Sequence, residues 1–388
     1  MNDKLICNII SILNNVLLNK NLKIDNNINW NDIFKIAIKH NLLPIIIERV
    51  EKDTVDNAVL QQIQNLVITS YYVSVQQNNI LERIKEKFNE NQIDFMLLKG
   101  STIKKLYPTP EMRTMGDIDI LIRQSQYPTV KKCMEDLSFV EGVETDHELH
   151  WKHNCVHVEL HKRLIPTYNN DFYNYVGDGW KLTDKVADTT EYRLKPEDEF
   201  IYLFIHFTKH YRDGGIGIRH LIDLYLYHKK VSLNEKYVFE ELKKLNLSTF
   251  YKNIKDTFLV WFENKNPNEI TYLITKRIFC SGSYGTEQQC DAANALKTYN
   301  RNGNVRKAKI KTILREIFLP YSSMKKKYKI LEKIPVFLPV FWLVRWCDTI
   351  FNKKNNLNRK IRRVNSITSE IIDEYKDELE IVGLNSKF

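Results

Sequence analysis

The sequence predicts an α+β protein in which a small core with a mixed sheet lies between an N-terminal and a C-terminal helical region. Apolar residues recur at helical spacing through residues 1–90 and again from residue 197 onward. Short apolar runs bounded by turns, typical of buried strands, fall between these regions. With 12 Gly and 10 Pro in 388 residues, the chain has too few turn formers for most all-β sandwiches. Its 43% hydrophobic residues exclude a disordered chain.

These patterns divide the chain into four segments. Residues 1–90 form a helical region and residues 91–165 an α/β core. Residues 166–300 form a helical domain, and residues 301–388 form a basic, aromatic-containing helical segment. Residues 55–88 contain almost no helix breakers and predict one long helix or two. The core is expected to begin with a strand at residues 93–98, a turn at 99–101 and a second strand at 116–122. A helix capped by Ser125 follows at residues 125–137, and two further strands follow at 148–152 and 155–161.

The second predicted strand carries two carboxylates. Side chains alternate between the two faces of a strand, so Asp117 and Asp119 share one face while Ile118 and Ile120 are buried on the other. Two carboxylates this close repel each other unless a cation lies between them. Mg²⁺ prefers a few carboxylates together with substrate phosphates, so this pair is a candidate magnesium site.

The last predicted strand adds a third carboxylate. His157, Glu159 and His161 share one face of it, and the apolar residues between them face the other way. If this strand lies beside the strand of Asp117 and Asp119, Glu159 joins the same cluster. Two metal ions about 3.5–4 Å apart would then clamp an in-line phosphoryl displacement.

The turn after the first strand has the residues of a phosphate-binding turn. Gly100 allows the backbone to approach a phosphate closely, and Ser101 adds a hydroxyl at a helix start. Lys99 or Arg113 is a candidate for neutralising a triphosphate. Each element alone is commonly an ordinary turn or a solvated face. Their combination in this order favours phosphoryl-transfer chemistry.

The order of these motifs resembles the nucleotidyltransferase superfamily with a polymerase β-type palm. More closely, the string LLKGSTIKKLYPTPEMRTMGDIDILI at residues 97–122 is similar to the bacterial uncharacterised nucleotidyltransferase family, whose members show a Lys-Gly turn, a Tyr-Pro, an Arg and an Asp-Ile-Asp in this order. The resemblance extends over residues 30–345. The 15 residues between Ser101 and Asp117 are more than the general superfamily has and suit the narrower family.

This resemblance implies transfer of a nucleoside monophosphate from an NTP to an acceptor, with release of pyrophosphate and with Mg²⁺ or Mn²⁺ as the cofactor. Asp117 and Asp119 would hold the metals, Glu159 would complete the site, and Gly100 and Ser101 would cradle the β- and γ-phosphates. The resemblance does not name the acceptor, which remains a nucleic acid, a small molecule or a protein.

Two other classes of function stay open. One is a non-catalytic scaffold or binding protein that keeps the fold, although the three intact carboxylates argue against it. The other is a zinc protein built on the five histidines and one cysteine between His147 and His161, since imidazole and thiolate are zinc ligands. Their spacing matches no closed structural zinc pattern, and His157 and His161 are alternatively supporting groups around Glu159.

A second polar cluster lies in the predicted helical domain. His206 and His210 share a helix face, as do Arg219 and Asp223. The resemblance suggests that these helices face the active site, where Arg219 would bind phosphate and the other three would support it. The alternative is an intrahelical Arg219–Asp223 ion pair over core histidines.

The positive charge of the chain is concentrated near its C-terminus. Residues 301–363 contain 18 Lys or Arg and 3 Asp or Glu, a net charge of +15, whereas the whole chain carries +10. Such a block favours a polyanionic partner, either RNA or an anionic membrane surface, although a helix packed on the protein body is the alternative. Its apolar run at residues 334–344 is too short to span a membrane, which takes about 20 residues.

The six cysteines form no C-x-x-C pair and no disulfide framework. The first 15 residues lack the basic start and unbroken apolar run of a signal peptide. We therefore expect a cytoplasmic enzyme with reduced thiols.

Overall fold

The computed structural model describes residues 2–25, 28–283, 285–302, 314, 317–352 and 368–385. The chain forms two compact units. The first comprises Met1–His210 and Ile216–Tyr284, and the second comprises Tyr211–Gly215 and Gly285–Phe388.

Helices precede and follow the sheet in the chain. The N-terminal helices are α1 (Asp3–Leu17), α2 (Trp30–His40), α3 (Leu43–Ile46) and α4 (Asn57–Glu90). The helices within and after the sheet region are α5 (Gly100–Ile103), α6 (Tyr127–Asp136), α7 (Asn170–Val176), α8 (Pro196–Asp213), α9 (Ile218–Lys230), α10 (Glu235–Lys244), α11 (Ser248–Phe262) and α12 (Glu269–Ser281). The predicted long helix over residues 55–88 is confirmed as α4, which begins at its cap Asp56.

Seven strands form one mixed sheet: β1 (Phe95–Leu97), β2 (Ile118–Ile122), β3 (Val140–Glu144), β4 (Glu148–His153), β5 (Val156–His161), β6 (Thr183–Lys185) and β7 (Glu191–Leu194). Their order is β3-β4-β5-β2-β1-β7-β6. The β2–β5 and β1–β7 pairs are parallel, and the other pairs are antiparallel. The predicted α+β class with a mixed sheet is confirmed.

The structure corrects three local expectations. Strand β3 was not predicted, and β6 and β7 lie in a segment predicted to be helical. All three strands are short, and every residue of β3 is exposed, so they lack the apolar alternation that marks a half-buried strand. Ser125 does not cap α6, because a short 3₁₀ turn at Gln124–Gln126 precedes the helix and no side chain bonds to its start.

The core of the first unit fills the space between the sheet and helices α4 and α6. Ile118, Ile120 and Ile122 of β2 point into it and are fully buried, as the alternation of the strand requires. Phe88 of α4 contacts Phe95 of β1 edge to face, with ring centroids 5.6 Å apart. Because the isoleucines occupy one face of β2, the carboxylate of Asp119 lies on the opposite face.

Helix α9 is tied to the segment between α5 and β2 by a buried ion pair. The Nε and Nη2 atoms of Arg113 donate to the two carboxylate oxygens of Asp223 at 3.2 and 2.8 Å. The Tyr107 hydroxyl donates to the same carboxylate at 2.8 Å. Asp223 therefore pairs across the fold with Arg113, and the intrahelical pair with Arg219 that the sequence left open is not formed.

The second unit contains helices α13 (Glu287–Asn302), α14 (Tyr321–Lys327), α15 (Ile330–Lys333), α16 (Leu338–Asn352) and α17 (Ser369–Ile381). Residues 303–313, 315–316 and 353–367 of the basic segment lie outside the described residues. Within the described part of the chain, no helix combines the length and the apolar content needed to cross a bilayer.

The Arg113–Asp223 pair yields a stability prediction. We expect Asp223→Asn to lower the free energy of unfolding by about 3–5 kcal/mol, because it leaves a buried guanidinium without a counter-charge. Urea denaturation measures the change. The control Asp136→Asn, which removes a half-exposed partner of Lys87, should cost no more than about 1 kcal/mol. Equal losses in the two variants would contradict the role given to the buried pair.

Candidate active site

Three carboxylates meet where β2 lies beside β5. In this parallel pair Asp119 lies directly opposite Glu159, and Asp117 immediately precedes β2. All three line a cavity of about 380 Å³. Its wall also includes residues from the β4–β5 hairpin and from α8 and α9: His147, Glu148, His161, His206, Lys209, His210, Arg219 and His220.

Asp119 is held by two nitrogen donors. Its Oδ1 atom lies 2.6 Å from the Lys99 Nζ and 2.7 Å from the His161 Nε2. Burial opposes the charge of Asp119, which is 6% exposed, yet Lys99 and His161 hold the pKa of its carboxyl well below the usual range. Burial alone would lower the pKa of Lys99, but Asp119 raises it, so the ammonium keeps its charge.

The backbone at Lys99 is strained. Its φ of +49° and ψ of −115° lie outside the regions that a residue with a Cβ favours. The hydrogen bond from the Leu98 amide to the Asp119 carbonyl, at 3.0 Å, fixes the chain immediately before this residue. Strain of this kind persists where the surrounding structure determines it, and it commonly occurs at functional sites.

Glu159 and Asp117 form the less compensated side of the cluster. Burial, followed by the charges of Asp117 and Asp119, raises the pKa of Glu159 to about 8. Burial and the charge of Asp119 also raise the pKa of Asp117, which accepts a hydrogen bond from Glu159. At neutral pH and without a metal ion, the cluster therefore retains a proton on Glu159.

The residues of the predicted phosphate turn separate in the structure. Gly100 lies in the cavity wall, and a Cβ there would come within 2.4 Å of the Arg113 Nη1 atom, so a larger residue would have to displace that guanidinium. Ser101 does not line this cavity. It borders a second cavity of about 560 Å³, as Lys99 also does, and its buried hydroxyl has no hydrogen-bond partner.

The other predicted site residues differ in how close they come to the carboxylates. His206, His210, Arg219 and Asp223 line the cavity, whereas His157 is exposed on β5 and does not. Arg219 donates from Nη1 to the Thr114 carbonyl at 2.7 Å, and its buried Nε has no hydrogen-bond partner. Arg113 also lines the cavity, but its charge is offset by Asp223.

The two helical histidines are neutral. Their Nε2 atoms lie 3.2 Å apart, a distance at which one must donate and the other accept. Burial, followed by the neighbouring His210, lowers the pKa of His206 well below its usual range. Burial and Lys209 lower the pKa of His210 to about 3.

Sequence reasoning did not single out three of the charged or histidine residues in the cavity wall, which are Glu148, Lys209 and His220. Glu148 lies opposite His161 in the β4–β5 ladder, so the hairpin register would have placed it in the site. Burial opposes the charge of Glu148, yet His147 and His161 lower its pKa to about 2. Lys209 and His220 give no comparable signal, because they lie on helices and no strand register places them beside the carboxylates.

The donor groups fit a divalent metal ion. Single ligand atoms of Asp119, Glu159 and His161 lie within 4.8 Å of one another. Burial, followed by the charges of the neighbouring carboxylates, raises the pKa values of Glu159 and Asp117, so both resist ionisation while Lys99 is the paired cation beside them. A hard cation with oxygen ligands would relieve this repulsion.

The comparison with protein families agrees with the resemblance found in the sequence. A family model described as "Uncharacterised nucleotidyltransferase" matches residues 26–258, which include every residue that lines the cavity. The solution structure of the antibiotic-resistance factor ANT(2'')-Ia aligns with a TM-score of 0.33 and 10% sequence identity, over 49% of this chain and 99% of that chain. No curated protein sequence matches the chain significantly.

The crowded carboxylates predict an unusual pH dependence of stability. Without metal ions, we expect the free energy of unfolding to fall as the pH rises from about 4.5 to 8. In this range the folded protein keeps a proton on Glu159, whose pKa is raised to about 8, while the unfolded chain, with the ordinary value of 4.5, has lost it. One such proton changes stability by at most about 1.4 kcal/mol per pH unit.

Urea denaturation in EDTA at several pH values between about 5 and 8 measures the slope of the free energy of unfolding against pH. Glu159→Gln should flatten it, because the variant has no carboxyl to titrate at this position. Glu86→Gln, at an exposed position of α4, should keep the slope of the unaltered protein. An unchanged slope in Glu159→Gln would show that Glu159 does not carry the linked proton.

Proposed function

The chain belongs to the family of uncharacterised nucleotidyltransferases, and from this premise we propose that it transfers a nucleoside monophosphate from an NTP to an acceptor hydroxyl, with release of pyrophosphate. The observation that carries the proposal is the meeting of Asp117, Asp119 and Glu159 in one cavity at the junction of two parallel strands. Buried carboxylates of like charge are costly to fold unless they bind a cation.

Asp117, Asp119 and Glu159 would hold Mg²⁺ or Mn²⁺. When bound, such ions neutralise the charge that develops on the transferred phosphoryl group and on its attacking and leaving oxygens. Lys99 keeps Asp119 ionised through their contact at 2.6 Å and so preserves a charged ligand. His161 fixes the orientation of the same carboxylate from the other side.

The phosphates of the NTP would lie against the cationic side of the cavity. Arg219 offers a buried Nε that has no hydrogen-bond partner, and guanidinium groups bind phosphate oxygens well. The absence of a Cβ at Gly100 lets the Arg113 guanidinium lie against the backbone of this wall. Ser101, which was expected in the same cradle, borders the second cavity instead.

The proposed reaction is a single in-line displacement. An acceptor oxygen bonds to the α-phosphorus, the bond from that phosphorus to the bridging oxygen of the β-phosphate breaks, and pyrophosphate leaves. Because Glu159 keeps its own proton in the absence of a metal ion, it would take the proton of the acceptor only once a bound cation has displaced that proton. The neutral pair of His206 and His210 lies in the wall of the same cavity and would contact the NTP or the acceptor without adding charge.

The acceptor is the open part of the proposal, so the experiment searches for it. Each of the four [α-³²P]NTPs is incubated with the protein, Mg²⁺ or Mn²⁺ and cell extract, and the labelled product is treated with nuclease or protease to assign its class. We expect the α-label to enter a product, and γ-label to appear only in pyrophosphate. Transfer of the γ-label would indicate a kinase and contradict the proposal.

Asp117→Asn and Asp119→Asn should each lower transfer by at least about a thousandfold, because the amide keeps the size of the carboxylate but loses the charge that binds metal. Asp136→Asn, on the surface of α6, is the matched control and should transfer normally. Transfer that persists in both site variants would disprove the metal assignment. NTP binding without transfer by the unaltered protein would favour the scaffold alternative.

A further inference from the structure

Besides the three carboxylates, the cavity contains a group of nitrogen donors at one end of the β4–β5 hairpin. His147 immediately precedes β4, Glu148 is its first residue, and His161 is the last residue of β5. Glu148 and His161 are direct partners in the ladder, and the Lys162 amide donates to the His147 carbonyl at 2.8 Å. One ligand atom from each of the three side chains lies within 4.8 Å of the others.

We propose that His147, Glu148 and His161 bind a second metal ion, Zn²⁺ or a similar transition metal, beside the carboxylates proposed to hold Mg²⁺. Two imidazoles and one carboxylate are a donor set found in zinc sites with three protein ligands, whereas oxygen-rich clusters suit Mg²⁺. Three protein ligands leave a fourth position on the ion for a water or a substrate oxygen.

Each histidine has a ring nitrogen that could bind the proposed ion. The His161 Nε2 lies 2.7 Å from Asp119, and its buried Nδ1 has no hydrogen-bond partner. A carboxylate that accepts the hydrogen of Nε2 leaves a lone pair on Nδ1, as is usual in metal-binding histidines. The His147 Nε2 lies 3.0 Å from Glu148, a separation that suits two ligands of one ion.

Two overlapping groups compete for the same ion. They are Asp119, Glu159 and His161, and Glu148, His150 and Glu159. His147 belongs to neither of them, so it is the residue that distinguishes the proposed site. Both competing groups contain Glu159, which the proposed site does not use.

The test measures Zn²⁺ binding to the full-length, chelator-treated chain in the presence of excess Mg²⁺, by equilibrium dialysis and by the visible absorption of a Co²⁺ substitute. We expect one Zn²⁺ per chain and a tetrahedral Co²⁺ spectrum. His147→Ala and His147→Gln should each weaken zinc binding by at least about tenfold, the least that disturbed metal sites commonly lose. Thermal unfolding checks that the variants fold.

Two controls locate the ion. His157→Ala removes an exposed histidine from the same hairpin and should bind zinc normally, as should Glu159→Gln. The proposal is overturned if the chain retains no zinc, if both His147 variants bind like the unaltered protein, or if Glu159→Gln alone abolishes binding. No nucleotide is present, so this result does not depend on the proposed transfer reaction.

In the second unit, helix α16 and the turn before it present an apolar face to solvent. Val336 is 80% exposed, Val340 50% and Leu343 57%. Val344 is also exposed, one position beyond Leu343. The spacing of these four residues puts them on one side of the helix. The opposite side is fixed, because Trp342 and Trp346 donate to the carbonyls of Leu319 and Ile317 at 2.9 and 2.8 Å.

We infer that this face docks on an anionic membrane surface. A contiguous exposed apolar face marks an interaction site, and the stretch of sequence that contains it, residues 301–363, has a net charge of +15. Exposed Lys329 and Lys333 precede the face directly. RNA is the less suitable partner because the four exposed residues of this face are aliphatic and do not stack on bases. Among the nearby aromatic residues Phe337 is 43% exposed, whereas Trp342 and Trp346 pack on Phe318 with ring centroids 5.1 Å apart.

Co-sedimentation of the full chain with vesicles tests this inference. We expect binding to phosphatidylcholine vesicles that contain phosphatidylglycerol, and little binding to phosphatidylcholine alone. The double variant Val340→Asn/Leu343→Asn should lose at least about tenfold of the affinity, since apolar burial and charge act together in such binding. Ile68→Asn, at a 63% exposed position of α4, is the matched control and should bind normally.

Three results would overturn the inference. The first is no binding to anionic vesicles at low salt, and the second is a double variant that binds like the unaltered protein. The third is binding of RNA, rather than vesicles, that the double variant abolishes.

Discussion

The site depends on the parallel pairing of β2 with β5. This pairing sets Asp119 directly beside Glu159 and leaves Asp117 at the entrance of β2. A slip of one residue would turn every side chain of β2 to the other face, burying the carboxylates in the core and exposing the isoleucines. Packing of Ile118, Ile120 and Ile122 against α4 and α6 therefore fixes the register and, with it, the position of the charged cluster.

The opposite wall of the cavity has its own anchor. Helices α8 and α9 bring His206, His210 and Arg219 into the cavity, and the Arg113–Asp223 pair ties α9 to the segment that precedes β2. Arg113 thus acts by positioning, and its charge is offset before any ligand binds. The matched family region at residues 26–258 includes both walls, so the sheet alone is not the functional unit.

Much of the fold could be predicted from the sequence, because β2, β5 and α4 each carry a clear apolar period. The exposed strand β3 and the short strands β6 and β7 could not be predicted. They are strands because they pair with neighbouring strands, and their own sequences carry no strand pattern. The D-x-D motif and Glu159 stand out in the sequence because strand alternation puts them on one face. Packing between distant segments decides which cavity Ser101 borders, whether His157 is exposed and which residue pairs with Asp223. The spacing of residues in the sequence does not contain this information.

The two walls of the cavity differ in charge, and we expect them to contact different parts of a bound nucleotide. Burial keeps His206 and His210 neutral, and Asp223 offsets Arg113, so the other cations of the wall are Lys99, Lys209 and Arg219. Lys99 is paired with Asp119, and Arg219 has a buried Nε without a hydrogen-bond partner, so we expect Arg219 to contact an incoming phosphate. On the other wall, Asp117 and Asp119 lie beside one paired cation, Lys99, and Glu159 keeps its proton when no metal ion is bound. A triphosphate could not approach them without a divalent cation, since like charges would repel. Nucleotide binding in this cavity should therefore require the metal ion, which would have to bind before the nucleotide or together with it.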